Sequence, residues 1–467
     1  MRTFHSAVVA GFAVAGLLAA PVVTADSFVV LAKNKFSADF AANVQAAGGS
    51  ITTFVPEIGL AIVESDSGFR TRGAGISGVQ GVAANIVVRM IEPSSAVPLT
   101  FDEAFANPPN SGDDDDYFDL QWGHQAIDAA GAWNAGYRGA GARVAVLDSG
   151  IDADNADLAP NLNTALSTSF VPGEGFDVRP GVFFNHGTHV AGTIAASDNG
   201  SGIIGVAPDA ELVAVKVLSE YTGSGAFGGI AAGVVYAANI GADIVNMSLG
   251  ATIPHNCTFD VLDDDGNPTG ETEHFPAWDC AQLLTMLERA MKYAHDNGVT
   301  IIASAGNEST DLDHNQSDVK VPAQLKYVQS ISATAPIGWA TDPLNTPFNN
   351  LASYSNFGKT GVDFSAPGGD FVYPGNENCM VAGQVRPCWV FDYVFSTGSG
   401  SFYWSAGTSM AAPHASGVAA LIVGKNGGSM DPDAVVRELE RTATDYGRKT
   451  NDDVHGNGAV NAASAVN

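Results

Sequence analysis

The sequence predicts an α/β protein, a three-layer domain with a mostly parallel central sheet preceded by a small α+β domain. Two observations predict it. From about Gln121 onward, continuous β-branched runs alternate with helical stretches, the pattern of strands buried on both faces by crossover helices. Ahead of them, residues 27–92 alternate short strand-like and helix-like pieces and end in a proline- and aspartate-rich stretch that marks a boundary.

Taken in order, residues 1–25 carry Arg2, a glycine-interrupted apolar run from Ala7 to Ala20 and the small-residue end Val23-Thr24-Ala25. They read as a cleaved signal peptide, because the run is too short to span a membrane comfortably. Residues 26–95 hold S-F-V-V-L-A, an amphipathic stretch from Phe36 to Ala47, I-T-T-F-V, G-L-A-I-V-E and N-I-V-V-R-M-I, which suits helices on an antiparallel sheet. Residues 96–120, with Pro98, Pro108, Pro109 and the run Asp113 to Asp116, are too polar to order themselves and are expected to be a linker and processing region. The acidic run is read as solvated chain with no binding role.

Within residues 121–467, strands are predicted at 143–147, 212–218, 243–248 and 300–305, and helices at 186–196, 229–239, 281–297, 409–423 and 433–442. Functional side chains then belong at carboxyl ends of strands or at helix starts. Fifty acidic residues against 21 basic ones give a net charge of -29, which opposes binding to nucleic acid or anionic membranes. The expected product is a soluble, exported monomer that has no membrane partner once its signal is removed. Four cysteines, all between Cys257 and Cys388, suit an oxidising compartment.

Three segments carry the chemistry: V-A-V-L-D-S-G-I-D around Asp148, N-H-G-T-H-V-A-G-T-I-A-A around His186 and G-T-S-M-A-A-P around Ser409. A serine hydroxyl becomes a nucleophile at neutral pH when an imidazole takes its proton and a carboxylate orients that imidazole. Singly, the three residues would be an ordinary turn aspartate, a packed histidine and a helix-capping serine. Jointly, their order and neighbours resemble the subtilisin family of serine proteases, peptidase family S8.

That resemblance implies a subtilisin-like three-layer catalytic domain over residues 121–467. In I-I-A-S-A-G-N-E it gives Asn307 the amide that hydrogen-bonds the oxyanion. Ser248, Leu249 and Gly250 would pair with an extended substrate from one side and Gly223, Ser224 and Gly225 from the other, with Phe227 bordering a more distal pocket. Main-chain pairing makes few sequence demands, so broad cleavage of protein and peptide substrates is expected. Residues 26–95 would be a propeptide that assists folding and then acts as an intramolecular inhibitor, making the chain a self-processed zymogen. Calcium would be held by Gln121, Asp157 and Asn199 with the carbonyls of Ser197, Ser201 and Ile203; no organic cofactor is implied. Aligning Asn307 and Val321-Pro322-Ala323 with the family puts Lys320 near the floor of the pocket for the residue before the cut, where an ammonium would favour acidic over basic side chains.

Two departures from the family stand out, residues 251–280 and 376–403. Each holds two cysteines, so Cys257–Cys280 and Cys379–Cys388 are the expected disulfides, each closing a short local loop, whereas the other connectivities would tie the insertions together. Rival functions find less support. Gly223 to Gly228 satisfies G-x-G-x-x-G, but Asp243 stands at the wrong end of the next strand for a ribose contact. His186, His189 and His414 could suggest zinc, yet Gly187 occupies the place of the usual glutamate. A catalytically silent binding scaffold is unsupported, because no triad or oxyanion position is altered.

Overall fold

A computed structural model describes residues 26–91, 96–99, 113–179, 184–263, 268–314, 318–446 and 452–467. The signal-peptide reading lies outside these residues, as does much of the stretch read as a linker. No helix among the described residues is long and apolar enough to cross a membrane.

The N-terminal unit is a four-stranded antiparallel sheet in the order Ser50–Val55, Leu60–Ser65, Asp26–Ala32, Val79–Ala84, with helices Phe40–Ala46 and Phe69–Ala74. Period-two alternation divides its apolar side chains. Phe28, Val30 and Val63 pack with Phe40, Val44 and Phe69 in a core of their own. Val29, Leu31 and Ile62 face the other way and join a core shared with helices Phe227–Asn239 and Ala277–Asp296. The two units are further joined where Arg70 forms a two-pronged ion pair with the fully buried Asp279. Arg289 adds hydrogen bonds to Ala32 O at 3.0 Å, Ile58 O at 3.2 Å and Gln80 Oε1 at 2.7 Å.

The central sheet has eight strands, in the order Asn350–Leu351, Val328–Ala335, Thr300–Ser304, Ile244–Met247, Arg143–Asp148, Glu211–Lys216, Thr168–Ser169, with Phe364–Pro367 also on Val328–Ala335. All pairs are parallel except that of Asn350–Leu351. Along Arg143–Asp148, Val144 and Val146 pack toward helices His186–Ala195 and Thr408–Lys425, while Ala145 and Leu147 pack toward Phe227–Asn239 and Ala277–Asp296. Three layers result. The strand expected at 212–218 runs from Glu211 to Lys216, and the helix expected at 281–297 begins a turn earlier, at Ala277.

At its described ends, residues 96–99 and 113–120, the stretch read as a linker is ordered. Val97–Pro98 forms an edge strand on Ser401–Ser405, and Leu99 is buried. Asp115 is buried too, its Oδ1 accepting from the N–H of Asn199 at 3.4 Å and of Ser201 at 3.1 Å, while Tyr117 N–H donates to Gly202 O at 2.8 Å. Composition missed this because the partners come from a distant loop of the catalytic unit. Both expected disulfides are formed. Residues 251–280 contribute a strand, Ala251–Pro254, paired with Asp318–Val321, and then a hairpin of Thr258–Leu262 and Pro268–His274. Residues 376–403 contribute the hairpin of Asn378–Val381 and Gln384–Pro387 and most of a second, Val394–Gly398 with Ser401–Ser405.

Candidate active site

Asp148 is the last residue of its strand and is buried. Its Oδ1 accepts from the Ser149 N–H at 2.6 Å, and both carboxylate oxygens lie 3.0 Å from His186 Nδ1. A carboxylate accepts only, so Nδ1 carries the hydrogen and Nε2 is left as the acceptor that a general base needs. His186 opens its helix behind Asn185, whose Oδ1 caps the Thr188 N–H at 2.7 Å and whose Nδ2 donates to Ser149 Oγ at 3.1 Å. The glycine after His186 has a steric cause, since a Cβ on Gly187 would sit 2.2 Å from Gly150 O and 3.1 Å from the Asp148 side chain. The aspartate loop and the histidine helix can approach this closely only without it.

Ser409 lies in the first turn of helix Thr408–Lys425, half-buried at the cleft. Its hydroxyl donates to Ser248 O at 3.1 Å, and among the described residues no hydrogen bond joins it to His186. Asn307 follows strand Thr300–Ser304. Its Oδ1 accepts from both the N–H and the hydroxyl of Thr408, at 2.9 and 2.7 Å. The main-chain N–H is an obligatory donor, so the amide orientation is set and Nδ2 remains available to an incoming oxygen.

The two edges expected to pair with substrate flank a stretch of the chain itself. Val87–Arg89 runs antiparallel to Ser224–Ala226, Met90 N–H donates to Gly223 O at 3.0 Å, and Gly250 N–H donates to Met90 O at 3.2 Å. Gly225 is required here because a Cβ would lie 2.5 Å from Val217 O. Leu249 is buried. Phe227 does not border an open pocket in this structure: it begins its helix fully buried, in the core that also holds Ile62 and Ile86.

Lys320 is buried on strand Asp318–Val321, with its Cε 3.4 Å from where a Gly250 Cβ would stand and 2.5 Å from where a Gly306 Cβ would stand. The ammonium has a partner that the sequence reading did not name: its Nζ is ion-paired with Glu308, whose other oxygen accepts from Asn356 Nδ2 at 2.6 Å. Glu308 sits next to Asn307 in the same motif, so adjacency was the signal available for it.

The residues expected to hold calcium lie together. Asp157 is buried, its Oδ2 accepts from Ile203 N–H at 3.0 Å and its Oδ1 from Asn199 Nδ2 at 3.3 Å, and burial pushes its carboxyl up to about 6. The carbonyls of Ser197, Ser201 and Ile203 accept no hydrogen bond among the described residues. Gln121 is engaged on both atoms by the Ile204 backbone, with Nε2 at 2.8 Å from its carbonyl and Oε1 at 3.1 Å from its N–H. Oxygen donors with a buried, uncompensated carboxylate fit a hard divalent cation. Beside them, carboxylate oxygens of Asp113, Asp114, Asp115 and Asp198 lie within 4.8 Å of one another, and burial, then Asp113, push Asp115 up to about 8. The acidic run is therefore not simply solvated chain.

The rival sites dissolve in this geometry. His189 turns away from His186 to Tyr403 O at 3.1 Å, and His414 Nδ1 faces Met410 O at 2.8 Å. Burial lowers the first to about 3 and the second to about 4, so both stay neutral. At the glycine-rich turn, the helix-start N–H groups of Phe227 and Gly228 donate to Ile86 O and Asn85 Oδ1 of the N-terminal unit.

Comparisons with known proteins agree with the site. Residues 139–458 match the Subtilase family, Peptidase_S8. Subtilisin Savinase of Lederbergia lenta is 35% identical over 348 residues, 74% of this chain and 98% of that one. Subtilisin E of Bacillus subtilis (strain 168) is 35% identical over 349 residues, 74% of this chain and 71% of that one. Among solved structures, the epidermin leader peptide processing serine protease of Staphylococcus aureus superposes with a TM-score of 0.71 at 23% identity, covering 95% of this chain and 98% of that one, a likeness of fold. A matched family domain over most of the chain, together with an Asp–His pair, a helix-borne serine and an anchored asparagine at one cleft, places this protein in the subtilase family of serine proteases.

Proposed function

We propose that this chain is a secreted serine endopeptidase, made as a self-inhibited zymogen, with Asp148, His186 and Ser409 as its triad and Asn307 as oxyanion donor. The observation that carries the reading is the Asp148–His186 contact, 3.0 Å from both carboxylate oxygens to Nδ1. As Ser409 Oγ attacks the scissile carbonyl carbon, His186 Nε2 takes its proton and Asp148 stabilises the imidazolium. The carbonyl electrons move to oxygen, which receives hydrogen bonds from Asn307 Nδ2 and the Ser409 N–H, since the Thr408 N–H is held by Asn307 Oδ1 and the Met410 N–H by Gly407 O. His186 returns the proton to the leaving amine, and water repeats the sequence on the acyl-enzyme to free Ser409.

Residues 26–95 are assigned as the propeptide, because Val87–Met90 lies along Gly223–Ala226 in the manner of a substrate and its own unit docks on the catalytic unit through Asp279 and Arg289. Residues 1–25 are assigned as the export signal, and the cut that frees the enzyme falls between about Pro93 and Gln121. Gln121, Asp157 and Asn199 with the carbonyls of Ser197, Ser201 and Ile203 would hold calcium; the ion would supply folding stability and no catalytic step. Lys320, paired with Glu308, is assigned to the pocket for the residue before the cut.

The test is covalent labelling by a fluorophosphonate. The mature protein should label at Ser409 and digest casein. Ser409→Ala should do neither and should accumulate as uncut precursor, whereas labelling elsewhere or full maturation of that variant in a protease-free preparation would refute the assignment.

A further inference from the structure

We propose that the hairpin of Thr258–Leu262 and Pro268–His274 is an acidic wall of the substrate cleft that selects a basic side chain upstream of the cut, and that Arg89 occupies this subsite in the structure. The inference rests on the endopeptidase reading above. The strands of this hairpin are exposed, yet one side of it borders the cleft. Here Asp260, Asp263 and Glu273 share a cavity of about 450 Å³ with Arg89, Ser224 and Gly250.

The guest side chain is already in place. Arg89 pairs with Ser224 in the cleft strand, its Nε donates to Thr222 O at 3.1 Å, and its Nη1 donates to Asp263 O at 3.4 Å. The wall is fixed rather than loose. The Cys257–Cys280 disulfide fastens its base to helix Ala277–Asp296, Phe275 N–H closes on Cys257 O at 2.9 Å, and Phe259 meets Phe275 edge-on at 6.0 Å. Its charge has one sign: the described hairpin carries Asp260, Asp263, Glu271 and Glu273, and residues 251–280 contain no lysine or arginine. The lysine that lines the same cavity, Lys320, is ion-paired with Glu308 and is not free to neutralise the hairpin carboxylates. Such a field attracts a guanidinium or ammonium and repels a carboxylate.

The experiment uses the mature enzyme and internally quenched peptides of the form Val-Val-Xaa-Met-Ile, with Arg, Lys, Gln or Glu at Xaa, beside casein. We expect kcat/KM for Arg and Lys to exceed that for Gln by roughly three- to tenfold, with Glu poorest, since exposed charge pairs are worth little singly. The ratio should shrink in about 0.5 M salt, approach one in the triple variant Asp260→Asn, Asp263→Asn, Glu273→Gln, and move toward Glu in Asp263→Lys. The salt series needs no variant to fold. Equal rates for Arg and Glu peptides by an enzyme that digests casein would overturn the inference and leave the endopeptidase reading standing. So would an Arg preference undiminished by salt and by either variant. An enzyme that neither digests casein nor reacts with a fluorophosphonate would overturn both.

Discussion

Asn307 and Thr408 are locked together across 101 residues of sequence, with Asn307 Oδ1 accepting from the Thr408 N–H at 2.9 Å and from its hydroxyl at 2.7 Å. The residue next to the nucleophile thus aims the amide that meets the oxyanion. Asn307→Leu should lower kcat by about 10²–10³, the range for losing such a donor in subtilisin. Thr408→Val, which keeps the N–H and removes the hydroxyl, should cost roughly tenfold in kcat with little change in KM. Steady-state kinetics decide it, and a Thr408→Val loss seen only in KM would remove the aiming role.

The Arg70–Asp279 pair should govern retention of the N-terminal unit. Asp279 is buried while the Arg70 side chain is 36% exposed, so truncating the arginine strands a buried carboxylate, and solvent at the pair tempers the cost. In a Ser409→Ala chain cut by an added protease at a site engineered near residue 105, the N-terminal fragment should co-elute with the remainder on gel filtration. With Arg70→Ala it should dissociate about ten- to a hundredfold more readily. Equal retention in both would show the apolar interface suffices.

Calcium removal should destabilise the catalytic unit. Ligand that binds only the folded state adds stability by mass action, and a site well above half-saturation should be worth on the order of 5–10 °C. The drop on adding chelator should appear in the Ser409→Ala protein, where self-digestion cannot intervene, and be absent in Asp157→Ala. An identical melting temperature with and without chelator in the parent would eliminate the site.

His414 should make stability depend on acid. Its folded value, lowered by burial to about 4, lies below the ordinary 6.5, so the unfolded chain binds the extra proton and stability is lost as pH falls from 6.5 toward 4. His414→Gln retains a donor for Met410 O but cannot titrate. The stability advantage of the parent over this variant, measured in denaturant on the Ser409→Ala background, should shrink between pH 7 and 5. A constant difference would mean that the histidine titrates alike in both states.

Glu308 should mask Lys320 in the pocket before the cut. With Lys320 in that pocket as proposed, the pairing would weaken the attraction for acidic substrate residues that an unpaired ammonium would exert. Glu308→Gln should therefore raise cleavage after Glu relative to Leu severalfold, and Lys320→Ala should abolish that gain. A peptide library showing no change in Glu308→Gln would place the lysine outside the pocket.

The sequence made legible what is local. Asp148, His186, Asn307 and Ser409 sit in motifs whose glycines and caps are dictated by close backbone approach, as at Gly187, so the wording of each segment carries its geometry. Pairings between distant segments carry no such trace. Arg70 with Asp279, Asp115 with the loop of Asn199 and Ser201, and Val97–Pro98 on Ser401–Ser405 all join units that composition describes separately. The hairpin after the pocket strand escaped for another reason: its strands are exposed and polar, so burial imposes no period-two pattern on them.

The strand Val97–Pro98 also bears on what maturation leaves behind. It caps a three-stranded sheet whose middle member, Ser401–Ser405, leads into the serine helix. A cut upstream of Val97 keeps that cap on the finished enzyme. Trimming past Leu99 strips it and turns Ser401–Ser405 into an open edge, able to accept a strand from another molecule, so two enzymes with the same active site but different first residues would differ in their tendency to self-associate.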